Sequence, residues 1–170
     1  EVRGEASGEF ECRENIEVFL DENGEANLNI QELYTGDASG LNLEASRLNF
    51  TCEDLGAAFI QLDYSGDETG SCTINVNVRD ELPPEINTNL VELTLDNEGF
   101  AYLEESDILA EDNCSEELIY RFSKSVFTCK DVGMNSVNVE VEDINGNRSD
   151  KNIQVNISGE GCDLPEPGEN

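Results

Sequence analysis

The chain repeats itself, which limits it to a fold that a segment of fewer than eighty residues completes alone. Cys12–Ala26 lies over Asn87–Ala101 with a shift of 75, so that Leu20-Asp21 meets Leu95-Asp96 and Gly24 meets Gly99. Phe50-Thr51-Cys52-Glu53-Asp54-Leu55-Gly56 lies over Phe127-Thr128-Cys129-Lys130-Asp131-Val132-Gly133 with a shift of 77, and the last strands match with a shift of 79. Two small loop insertions account for the drift. Self-similarity at a fixed period marks a tandem array. It divides the chain into an N-terminal linker over 1–11, a first repeat over 12–80, a joint over 81–86, a second repeat over 87–158, and a C-terminal linker or start of a further unit over 159–170. Pro83 and Pro84 stiffen the joint, because each fixes its own φ and restricts the residue before it.

Inside each repeat, apolar and polar residues alternate in short runs, such as Ile74-Asn75-Val76-Asn77-Val78, Val137-Asn138-Val139-Glu140-Val141 and Ile153-Gln154-Val155-Asn156-Ile157. Period-two alternation places one face in a core and the other in water, the pattern of antiparallel strands. Asp21-Glu22-Asn23-Gly24 and Asn145-Gly146 mark hairpin turns. The expectation is an all-β chain of two tandem immunoglobulin-like β-sandwich domains with about seven strands each. The buried Trp and the inter-sheet Cys pair of true immunoglobulin spacing are absent, so the expectation extends to the architecture alone.

Charge excludes several functions. The chain carries 39 Asp and Glu against 9 Lys and Arg, a formal net charge of -30, and no His. Such a charge repels phosphate backbones and anionic lipid headgroups, which argues against nucleic-acid and membrane-surface binding. Without imidazole, Ser-His-Asp and Cys-His pairs and HExxH zinc sites are unavailable. No apolar run approaches the roughly 18 residues a membrane-spanning helix needs, so no direct membrane insertion is expected. With no signal peptide at Glu1, the chain reads as a mature or excised piece. Its acidity reads as a solvating coat, since salt screens such self-repulsion over a few ångströms.

The order C-x-x-N-I-x-V-x-L-D-x-N-G-x-A, F-T-C-x-D-x-G, a V-x-V strand ending in D-x-N-G-N, and V-x-D-x-x-P-P-x-I spans roughly residues 12–158. It resembles the tandem repeats of very large Bacteroidota surface proteins, the SprB-type gliding-motility adhesins and their hyalin-like relatives. The resemblance implies export, typically by the type IX system, display on the bacterial cell surface as one piece of a long array, and no enzymatic activity. A full unit of that family carries four cysteines. The first repeat keeps the first, third and fourth (Cys12, Cys52, Cys72), and the second keeps the second and third (Cys114, Cys129), with Asn87 and Lys151 in place of the others. The resemblance therefore implies the bonds Cys12–Cys72 and Cys114–Cys129, each contributing about 3 to 4 kcal/mol by loop-closure entropy. Cys52 is left as a buried free thiol, and Cys162 as an opening cysteine with a partner outside the chain. With neither CxxC nor His to complete a zinc site, six cysteines point to an oxidising, extracytoplasmic setting.

Calcium is the expected ligand if there is one, because loop clusters of carboxylates and amides supply its six to eight oxygens. The candidates are Asp143, Asn145 and Asn147 with Asp150 nearby, Asp63 and Asp67 at the equivalent turn of the first repeat, and Asp80 at the joint, where Asp96, Asn97 or Asp112 would meet it. No segment fits the EF-hand pattern. Tyr34, Tyr64, Tyr102 and Tyr120 are the residues available for a sugar platform, with Tyr102 and Tyr120 expected on one exposed face. A glycosidase would need two carboxylates at a defined separation in a cleft. The functional expectation is a non-catalytic spacer or stalk module of a secreted surface adhesin or fibre. Its partners would be neighbouring repeats, surface polysaccharide or other copies in a fibre. The alternative is a carbohydrate- or protein-binding module.

Overall fold

The computed structural model describes residues 8–160 and 162. The chain is all-β, with no α-helix among the described residues and none long and apolar enough to cross a membrane. It divides into two units, Glu1–Leu82 and Pro83–Asn170, each a β-sandwich. Unit 1 contains β1 (Glu11–Cys12), β2 (Asn15–Phe19), β3 (Glu25–Asn27), β4 (Tyr34–Thr35), β5 (Leu41–Ala45), β6 (Asn49–Thr51), β7 (Gly56–Gly66) and β8 (Gly70–Arg79). Unit 2 contains β9 (Glu85–Ile86), β10 (Leu90–Thr94), β11 (Ala101–Tyr102), β12 (Ala110–Glu111), β13 (Ile119–Phe122), β14 (Val126–Phe127), β15 (Gly133–Glu142) and β16 (Arg148–Ser158).

Each unit has one four-stranded sheet, ordered β2-β8-β7-β5 in the first and β10-β16-β15-β13 in the second. Two-stranded ribbons complete each unit: β1-β4 and β3-β6, then β9-β12 and β11-β14. The last two long strands form a hairpin, and the early strand of each sheet pairs in parallel with the last. Asn15 faces Asn75 and Phe19 faces Arg79 in unit 1; Leu90 faces Gln154 and Thr94 faces Ser158 in unit 2. The pairing of β9 with β12 and the burial of Ile86 draw Glu85 and Ile86, expected in the joint, into the body of unit 2.

Alternation selects the buried face. Ile74, Val76 and Val78 on β8 are buried while Thr73, Asn75, Asn77 and Arg79 are exposed. Val137, Val139 and Val141 on β15 and Ile153, Val155 and Ile157 on β16 do the same in unit 2. From the short ribbons, Phe50 and Phe127 are fully enclosed. A one-residue slip of either hairpin would turn its own buried valines and isoleucines into water, so the core itself fixes the register. Replacing Phe127 or Phe50 with Ala is expected to cost about 3 to 5 kcal/mol of its own unit's stability. Urea unfolding followed with a probe in each unit checks this; loss in both units from one substitution would contradict two separate cores.

Candidate functional site

The cysteines follow strand register. Extending the parallel β2–β8 pairing by three residues places Cys12 opposite Cys72, and the two are bonded. In unit 2 the same extension places Asn87 opposite Lys151, whose Nζ donates to the Ile86 carbonyl at 3.4 Å. Cys129 is bonded to Cys162, not to Cys114, and Cys162 is therefore not reserved for an outside partner. The β15–β16 hairpin pairs Gly133 with Ile157, so Cys129, just before Gly133, and Cys162, just after Ile157, reach the same end of the hairpin. Cys114 precedes β13, which joins β15 at the opposite end, at Glu142. That end lies about 30 Å away along a ten-residue strand. Cys52 is not a free thiol, since no free cysteine exists among the described residues.

The segment before and within the F-T-C motif forms an electrostatic clasp that appears twice. Thr51 Oγ1 accepts from Glu53 N–H while Asp54 Oδ2 accepts from Thr51 N–H, and Arg47 reaches Asp54 Oδ2 at 2.7 Å. At a shift of 77, Thr128 Oγ1 accepts from Lys130 N–H, Asp131 Oδ2 accepts from Thr128 N–H, and Lys124 Nζ lies 2.7 Å from Asp131 Oδ1. The same two cations lie over the rings of Phe50 and Phe127. Sequence inspection missed Arg47 and Lys124, although both stand three residues before the Phe of the repeated motif. Both carboxyls are held below the ordinary value of 3.8, by the hydrogen bond from Arg47 or Lys124 first and then by the Thr51 or Thr128 backbone N–H.

The acidic turns separate into two kinds. Asp21 Oδ1 accepts from the N–H of Asn23 and Glu25, and Asp96 Oδ1 from those of Glu98 and Phe100. Asp143 Oδ1 likewise accepts from Asn145 N–H at 2.9 Å and Asn147 N–H at 2.8 Å, and its Oδ2 from Asn147 Nδ2 at 2.9 Å. Each acid closes a turn whose glycine (Gly24, Gly99 or Gly146) has positive φ. Within the expected Asp143, Asn145, Asn147 triad, the Asn145 N–H, the Asn147 N–H and Asn147 Nδ2 all donate to Asp143. Asp150 accepts from Asn138 Nδ2, and Asp63 is exposed and accepts from Gln61 Nε2. Asp67 is exposed at its own turn. Asp80 is buried, with Oδ1 accepting from Leu82 N–H at 3.1 Å.

Asp143 differs from the other two turn acids in being only 1 % exposed. It has company in Asp112, a carboxylate oxygen of which lies within 4.8 Å of one from Asp143. Asp112 Oδ2 accepts from the N–H of Cys114 and Ser115, while its Oδ1 is closed off from water without a hydrogen-bond partner. Ser115, itself buried, ties the two loops together, its Oγ accepting from Ile144 N–H at 3.2 Å. Like charges this close repel each other. No lysine or arginine among the described residues pairs with either acid. Arg121 and Arg148 are held by Glu140 and Glu142, and Lys124 by Asp131.

The tyrosines do not share a face. Tyr102 on β11 is half exposed and stacks on Phe100. Tyr120 on β13 packs against the unit 2 core and stacks on Phe122, and burial followed by the Glu105 charge raises its pKa. Tyr34 and Tyr64 both pack against Phe10.

No family model and no curated protein matches the chain. Solved structures similar to it include human mucin-like protocadherin EC1-2, at 14 % identity and TM-score 0.43, covering 89 % of this chain and 99 % of that one. Human protocadherin-24 EC1-2 follows at 9 % identity and 0.40, covering 86 % and 95 %. Titin I67-I69 matches at 13 % identity and 0.33, covering 88 % and 65 %. Likeness at this level assigns the chain no family, ligand or partner. The sandwich architecture stands on the strand pairing itself.

The clasp generates a pH dependence. The folded-state value of Asp131 lies below the unfolded one, so its contribution is complete above about pH 4 and is lost as pH falls through the lower, folded value. Asp131→Asn is expected to lower the unfolding free energy of unit 2 by about 1 kcal/mol at pH 7. Urea denaturation at descending pH should show the gap between variant and parent closing below pH 4; a constant gap would contradict a charge-based role.

Proposed function

We propose that the chain is a non-catalytic tandem module of an extracellular surface protein, a spacer or stalk that carries tension within a longer array. The observation that carries this reading is the Cys12–Cys72 bond, set on the extension of the parallel pairing between β2 and β8. A pull along the chain enters unit 1 before Cys12 and leaves after Arg79. Without the bond, it would shear the five pairings from Asn15–Asn75 to Phe19–Arg79 together. With the bond, tension passes through sulfur into β8, and the residues between the cysteines stay in a closed loop outside the load path.

Such bonds persist in oxidising compartments, which supports an extracellular setting. The repeated clasp and repeated turn acids support an array built by copying one unit, since each copy brings its own core. The motif order that resembles SprB-type gliding-motility adhesins supports a bacterial cell surface and adhesion as the finer setting. A binding module is the second reading. It is favoured by the stacked and exposed Phe100 and Tyr102, a platform of the kind sugars use.

Single-molecule pulling of the full chain tests the first reading, because forced unfolding reports directly on the loaded barrier. Under oxidising conditions the 60-residue span between Cys12 and Cys72 should stay hidden, and reductant should release roughly 200 Å of contour length from it, beside roughly 110 Å from the 33-residue span between Cys129 and Cys162. Release of the shorter length without the longer one would contradict the load path. A rise in melting temperature on adding a surface polysaccharide, lost in Tyr102→Ala, would instead support the binding module.

A further inference from the structure

We propose that Asp112 and Asp143 form a binding site for a divalent hard cation within unit 2, of which calcium is the fitting ion. The inference does not depend on the load-bearing role.

Turn closure alone does not explain the arrangement. Asp21 and Asp96 close the same kind of turn from the surface, whereas Asp143 is enclosed. Asp112 also has a counterpart at a shift of 75, Asp37, whose Oδ1 accepts from Ser39 N–H in the open. At a shift of 77, the position of Asp143 is Gly66 in unit 1. The first unit therefore keeps the turn acid, and the neighbouring acid at its second turn, Asp67, is exposed. In unit 2 the two acids lie close together, Asp143 enclosed and Asp112 Oδ1 closed off from water with no donor.

A buried carboxylate is normally paired or hydrogen-bonded through all its oxygens. Here the Ser115–Ile144 hydrogen bond links the two loops that carry the acids. A cation between the acids would neutralise both and satisfy Asp112 Oδ1. Two carboxylates with no imidazole or thiolate beside them are hard oxygen donors. They suit calcium, which tolerates irregular geometry and fills its remaining positions with carbonyls or water. Magnesium demands near-octahedral geometry and gives up water reluctantly. With two protein carboxylates, affinity should fall on the order of 10⁻⁴ to 10⁻³ M, the range of extracellular modules.

Isothermal titration of the oxidised full chain with calcium chloride, at constant ionic strength and with magnesium chloride in parallel, tests the site. The parent and Asp37→Asn should bind calcium equally, and Asp112→Asn at least tenfold more weakly. Asp112→Asn without calcium should melt no lower than the parent without calcium, because the amide oxygen still accepts from Cys114 and Ser115 while the like-charge contact is gone. Undiminished calcium binding in Asp112→Asn, or magnesium binding equal to that of calcium, would overturn the proposal. If Asp112→Asn misfolds, the parent decides: a saturable calcium-specific heat supports the site, and its absence refutes it. Neither result alters the length released by reductant under force, so the two readings fail separately.

Discussion

The parallel pairing of an early strand with the final strand closes each unit, and the other features of the fold are arranged around it. β8 and β16 are central strands, hydrogen-bonded on both sides, with β2 or β10 on one edge and the hairpin partner on the other. Parallel neighbours require a crossover, so residues some sixty positions apart must meet before this pairing forms. The entropy of that closure is the main obstacle to folding so small a unit. The two units meet it differently at matching positions. Unit 1 uses a covalent bond, Cys12–Cys72; unit 2 places Lys151 against the Ile86 carbonyl and moves its disulfide to the base of the hairpin, Cys129–Cys162.

With so many carboxylates and so few cations, the chain satisfies acids largely through its own backbone. Asp21, Asp96 and Asp143 close turns, and Asp54 and Asp131 accept from the N–H at the start of a short 3₁₀ segment. The scarce cations are spent where they serve twice, as Arg47 and Lys124 do by pairing with an acid while covering a core phenylalanine. Against that economy, Asp112 beside Asp143 stands out as a like-charge contact with no cation assigned to it.

Much of the fold was legible because its signals are local or periodic. Alternation in Ile153–Ile157 identified a strand and its buried face, and the shift between Phe50 and Phe127 identified the second unit. Glu85 and Ile86, expected in the joint, pair with β12 in a two-residue element that carries no sequence pattern of its own. The Cys114–Cys129 pairing failed because matching the copies says which positions correspond, whereas bonding depends on which end of a strand each cysteine reaches. Asp143-Ile144-Asn145-Gly146-Asn147 reads equally as a turn and as a ligand loop, because turn closure and cation binding draw on the same residue types. The facing acid, Asp112, lies on a different loop, and only three-dimensional placement distinguishes it from Asp37.

Digestion under non-reducing conditions followed by mass mapping of the linked peptides tests the central claim, that strand register dictates the covalent closure of each unit. The account expects Cys12 linked to Cys72 and Cys129 linked to Cys162. Recovery of Cys129 linked to Cys114 would place bonded residues at opposite ends of β15 and contradict it.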